Sequence, residues 1–148
     1  MHNQPIPDLL ARLTRLTPDS QRLWGSMSVG QMITHCTDQL QIMLGQKPAR
    51  QRGSAFSRRL SKWIALNVPV RMPKNMKTIA ELDPNRPLMT QPTGFANDRA
   101  ALTDVIAYLE KVTDSQHFAH PVFGQMNKAE AIKLTHIHLD HHLRQFGV

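Results

Sequence analysis

Residues 135–148, THIHLDHHLRQFGV, hold four of the chain's eight histidines. Imidazole is the side chain that both moves protons near neutral pH and ligates transition metals, so the placement of these four on one element is the first question. Asn127 is a suitable cap for a helix starting at Lys128, and no Gly or Pro occurs from there to Phe146. At about 100° per residue, Ile132, Leu139, Leu143 and Phe146 form one apolar stripe. His138 and His142 lie together on one flank of it, about 40° apart and one turn from each other. His141 falls farther out beside Leu134 and Gln145, and His136 sits at the opposite margin. The wheel therefore selects His138 and His142, whose nitrogens can each come within about 2.0–2.1 Å of one shared divalent metal.

A third ligand must come from another element. Ser28 and Gln31 have the spacing of a capping box, which predicts a helix over residues 29–44 with Val29, Met32, Ile33, Cys36, Leu40, Met43 and Leu44 as its apolar arc. His35 sits at the edge of that arc with Gln39 beside it. Cys36, one step of about 100° further on, turns into the arc and reads as a small buried hydrophobe. His35, His138 and His142 can thus meet at one end of an interhelical groove. Three imidazoles leave a coordination position for water or substrate, whereas structural zinc sites are usually closed by four protein ligands.

The elements that must position these residues read as helices. Asp8 caps a short helix through Leu16; residues 54–67 form another, with Phe56, Leu60, Trp63, Ile64 and Leu66 as its buried side. Residues 70–93 contain Pro73, Pro84, Pro87 and Pro92 and predict an irregular crossover. A further helix starts at Asn97 or Asp98 and runs to about Val112. His120, which precedes Pro121, is expected to be extended, with Phe123 plugging an apolar gap and Trp24 anchoring the loop before the second helix.

The 148 residues suit a single domain with one core. Hydrophobic residues make up 41% and aromatics 5%, with eight Met, which points to an aliphatic, helical interior. No apolar stretch resembles a signal-peptide core or approaches the roughly 18 residues of a membrane span, so a cytoplasmic protein is expected. Cys36, the one cysteine, excludes an internal disulfide. The net charge of +7 is concentrated in Lys47, Arg50, Arg52, Arg58, Arg59 and Lys62, a run without the aromatics or motif of a nucleic-acid module. It reads mainly as a solvated face.

The segments SVGQMITHC, RMPKNMKTIAELDP, HPVFG and HIHLDHHLRQFG, in that order and spacing, make nearly the whole chain resemble the DinB/YfiT-like metalloenzyme superfamily, and within it a small subfamily of unknown function. The resemblance implies an all-α fold, an antiparallel four-helix bundle of up-down-down-up connectivity, here with a short extra N-terminal helix. It also implies frequent homodimers and a divalent metal, Zn, Ni or Fe, on three histidines. His35 matches the first ligand position, His138 and His142 the later H-x-x-x-H, and Gln145 the polar position three residues on. Characterised relatives include thiol-dependent S-transferases and a maleylpyruvate isomerase, so the resemblance implies an enzyme that activates a thiol or water toward a small-molecule substrate, the thiol being of low molecular weight. His120, Gln39, His141 and Gln145 are the candidate ligand-orienting or substrate-contacting residues. Two other classes stay open: a non-catalytic bundle with structural histidines, and an anion or nucleic-acid binder using residues 47–62.

Overall fold

The structure, a computed structural model, describes residues 6–148. Five helices occur in order: α1 (Ile6–Thr14), α2 (Val29–Met43), α3 (Ala55–Asn67), α4 (Phe95–Lys111) and α5 (Lys128–Gln145). Between α4 and α5 lies a two-stranded antiparallel sheet of β1 (His117–His120) and β2 (Gly124–Asn127). The expected all-α, four-helix bundle of up-down-down-up connectivity is therefore corrected to five helices with a small hairpin. No helix among the described residues is long and apolar enough to cross a membrane.

The hairpin has local causes. Pro121 bars a helix through this segment and pushes His120 to extended backbone, the one part of the local reading that pointed this way. In β1 burial alternates, Phe118 and His120 in, His117 and Ala119 out, and Phe118 pairs with Met126 across the sheet on the inner face. Gly124 supplies the positive φ of 67° at which β2 begins. The pattern is four residues per strand, too short for periodicity to separate from loop.

α2 is the central element. It packs against α4 and α5 and touches β1 and the short turn Ala80–Leu82. The expected capping box of Ser28 with Gln31 forms on α2, and the expected Asn127 cap on α5 is completed to a box by Glu130. The core joins Leu9, Leu13 and Leu16 to Met32, Ile33 and Met43, to Leu102, Ile106 and Leu109, and to Leu143. Polar residues of α2 are buried as well. Thr34 and Thr37 satisfy their hydroxyls on the Gly30 and Ile33 carbonyls, and Asp38 accepts from Lys47 Nζ and from both Thr90 N and Oγ1. The Asp38 clasp fastens the crossover of residues 70–93 to α2. That crossover is irregular as expected, apart from the one turn at Ala80–Leu82, with Leu82 and Met89 buried beneath it.

Three local expectations are corrected. Asp8 lies inside the first turn of α1 rather than capping it. Asp98 does not start α4; it is buried one turn in and accepts from Thr93 N, Thr93 Oγ1 and Gly94 N, tying the chain ahead of the helix. On α3 only Leu66 is buried, while Phe56, Leu60, Trp63 and Ile64 are exposed, Phe56 to 76%. This helix contacts α5 and β2 on one side, where Lys62 bonds Gln125 O and Glu130, and among the described residues no element covers the other side. A wheel identifies an apolar face but not whether a neighbour exists to cover it.

Because the capping boxes start both histidine-bearing helices, Ser28→Ala is expected to destabilise the protein by about 1 kcal/mol. Chemical denaturation reads this as a lower midpoint at unchanged slope, and an unchanged midpoint would show that α2 does not depend on its cap.

Candidate metal centre

His35 on α2 faces His138 and His142 on α5 across the interhelical groove. The three can each present one ring nitrogen, and these nitrogens all lie within 4.8 Å of one another. His35 Nε2 and His138 Nε2 are 3.2 Å apart. Ring centroids are separated by 4.8 Å for His35 and His142 and by 4.6 Å for His138 and His142. The sequence reading of these three as one group is what the fold brings together.

Two of the tautomers follow from hydrogen bonding. His35 Nδ1 lies 2.9 Å from the Leu82 carbonyl oxygen, which only accepts, so Nδ1 carries the proton and Nε2 presents a lone pair. His142 Nδ1 lies 2.9 Å from Gln145 Oε1, while Gln145 Nε2 donates to the Trp24 carbonyl, so His142 Nδ1 is also the donor and its Nε2 is free to bind. Such outer hydrogen bonds fix the ring and raise its basicity in metal sites. The 3.2 Å separation also fits, since nitrogens bound tetrahedrally at about 2.0–2.1 Å are roughly 3.3–3.4 Å apart. Residue types, tautomers and spacing all suit a divalent ion.

Burial keeps the imidazoles neutral, as metal ligands must be. It holds His142 down to about 3, with the charge of His35 adding to burial, and holds His35 below its ordinary value against the opposing pull of the Leu82 hydrogen bond and Asp38. His138 is held well below its ordinary value by burial first and then by His142 and His35. As whole residues His35 and His142 are buried and His138 is half-buried.

The remaining candidates divide by position. Gln145 lies directly behind His142, as just described. It also meets the loop before α2: a Cβ on Gly25 would collide with Gln145 Nε2, and Gly25 itself has φ of +80°. Glycine is required there for the backbone to approach the amide. Gln39 and His120 are both buried and adjacent, one turn beyond His35. His141 contributes no ligating nitrogen to the group; its ring lies edge-on to both His142 and Trp24, with centroids 5.1 and 6.0 Å away, and its Nδ1 is buried without a partner. His136 is buried outside the group, under the influence of Asp140 and Glu110. Cys36 is buried against Met32, and burial pushes its thiol above the ordinary range. The orienting carbonyls of Leu82 and Trp24 were missed by the sequence reading, because a backbone oxygen leaves no mark in residue type.

A groove of about 650 Å³ lies elsewhere, along α3 and Glu130, lined by Phe56, Arg59, Leu60, Trp63 and Leu66. It contains none of the three histidines, and chemistry is assigned to the histidines because the ligating atoms converge there.

Two outcomes follow. Gln145→Leu removes the acceptor for His142 Nδ1–H and is expected to weaken metal affinity about 10–100-fold, measured by competition with a chromophoric chelator; unchanged affinity would show the latch to be idle. Burial lowers His120 from 6.5 to about 4 in the folded chain. The unfolded chain therefore takes up a proton near 6.5 that the folded chain refuses until about 4, so stability is full above 6.5 and is lost as pH falls through that window. Thermal melting of metal-free protein should show this decline, with a shallower slope in His120→Asn; a flat profile from pH 7 to 4 would contradict it.

A family model described as a protein of unknown function (DUF1569) matches residues 4–147. Comparison with curated proteins and with solved structures gives no significant match. Since the match runs over nearly the entire chain, the chain belongs to the DUF1569 family of proteins of unknown function.

Proposed function

We propose that His35, His138 and His142 hold a divalent metal, Zn²⁺, Ni²⁺ or Fe²⁺, and that the protein is a metal-dependent enzyme whose nucleophile is a low-molecular-weight thiol or water. The observation that carries this reading is the pair of oriented tautomers. Leu82 and Gln145 take the Nδ1 protons, so the Nε2 lone pairs of His35 and His142 point into one space beside His138.

When bound, a divalent ion on three neutral ligands retains its full charge and acidifies a water or thiol that joins it. The chain's own residues supply the rest. Burial keeps the three imidazoles unprotonated, and Gln145 and Leu82 hold two of them in register. Cys36 is too buried, and its thiol too weak an acid, to serve as nucleophile. The nucleophile must then be supplied from outside the chain, which favours an external thiol or water. The resemblance to thiol-dependent transferases favours the thiol.

The anion-binding alternative is less favoured by the fate of the basic run. Lys47 is committed to Asp38, Arg52 to Glu81, Lys62 to Glu130, and Arg58 to the Gly53 carbonyl.

Metal content of purified protein, with single substitutions, tests the reading. His35→Ala, His138→Ala and His142→Ala are each expected to lose most bound metal, and His141→Ala to keep it. Undiminished metal in all three ligand variants, or loss only in His141→Ala, overturns the assignment. Full metal without thiol-dependent transfer would remove the transferase reading and leave the site.

A further inference from the structure

The hairpin carries His120 to a position that the metal group does not use. Its imidazole is 6% exposed, stacked on Phe123 with ring centroids 4.7 Å apart, and wrapped by the turn it precedes. The backbone N–H groups of Val122 and Phe123 both donate to His120 Nδ1, at 3.1 and 3.3 Å. An Nδ1 that accepts twice carries no proton, so Nε2 must carry it. The hairpin thereby sets His120 as a neutral donor, with Nε2–H aimed away from the turn.

That N–H meets the amide of Gln39, whose Nε2 lies 3.5 Å from His120 Nε2. Two donors do not bond each other. If the amide is turned, its oxygen accepts the His120 proton and both amide hydrogens are left over; if it is not, all three hydrogens are. Gln39 is 4% exposed and its amide has no other hydrogen-bond partner among the described residues. Turned, the amide satisfies His120 and sets its own N–H groups where the other amide atom now sits without a protein partner, so they stand ready for an acceptor from outside the chain.

The location gives that acceptor a meaning. Gln39 is one turn from His35 on the same side of α2. His120 is near enough to His138 for a charge on one ring to be felt at the other. We propose that the Gln39 amide, turned by the His120 Nε2–H, is the donor that anchors a carboxylate or carbonyl oxygen of the substrate beside the three-histidine group. This deepens the metal reading and rests on it: the substrate would be a small acid or carbonyl compound, held by neutral N–H donors at one end while its reacting atom lies at the histidines. Neutral donors are suited to the task because they do not add positive charge next to a divalent ion.

The test uses protein loaded with Co²⁺, whose visible absorption reports ligands entering its coordination sphere, titrated with acetate and separately with acetamide. Two substitutions remove the donor and the group that turns it. Gln39→Leu deletes the amide; His120→Asn keeps an oxygen where Nδ1 accepts from the turn but has no group to replace the distant N–H. Expected is normal Co²⁺ uptake in both variants and about tenfold or greater weakening of the binding of whichever probe the native protein takes up. Weakening for acetate alone identifies a carboxylate, and weakening for acetamide as well extends the class to neutral carbonyls. Normal uptake with probe binding indifferent to both substitutions, or with neither probe bound by native protein, overturns the anchor and leaves the metal reading intact. A native chain that takes up no Co²⁺ overturns the metal reading, and the anchor with it.

Discussion

The structure depends on placing three neutral imidazoles from two helices within one small space. His35 Nε2 and His138 Nε2 approach to 3.2 Å, and burial lowers the proton affinity of both rings. Such an arrangement has little attraction of its own: the one hydrogen bond within it joins His35 Nε2 and His138 Nε2. It persists because each helix is fixed independently, α2 by its capping box and its packing on α4, α5 by its capping box and its contacts with α1 and α2. The energy that holds the histidines together is therefore apolar burial elsewhere, consistent with functional sites being supported by cores they do not contribute to.

The irregular parts of the chain serve this placement. The crossover between α3 and α4 lacks periodic structure, yet it delivers the Leu82 carbonyl to His35 and is pinned to α2 by Asp38 and Thr90. The loop before α2 delivers the Trp24 carbonyl to Gln145, and through it sets His142. The hairpin delivers His120 to Gln39. Each connection brings a hydrogen-bonding group to the groove between α2 and α5. In this sense the departure from a simple bundle is concentrated where the site needs it.

The opposite situation holds on α3, where Phe56, Leu60, Trp63 and Ile64 form an apolar face that remains in solvent. Helical spacing alone placed these residues in the core. Periodicity reports which side chains share a face; only the count and positions of neighbouring elements determine whether that face is covered.

By itself the sequence determined the ends of α2 and α5, because capping boxes and helical spacing act within a few residues. It also determined which histidines share a face of α5, a consequence of about 100° per residue, and hence that His138 and His142 form a pair while His136 and His141 do not join it. That His35 would be the third member was legible from its place at the margin of the apolar arc of α2. The tertiary structure alone decided the rest. Which nitrogen of His35 and of His142 is free follows from carbonyls and an amide 47 residues away in one case and in register with a distant loop in the other. The hairpin, too, was beyond reach, since four-residue strands give too few alternations to stand out from a loop, and their pairing of Phe118 with Met126 is satisfied only once a core exists to cover it. Local sequence governs what short-range hydrogen bonds and sterics can settle; contacts between distant segments govern which atoms of the site are left to act.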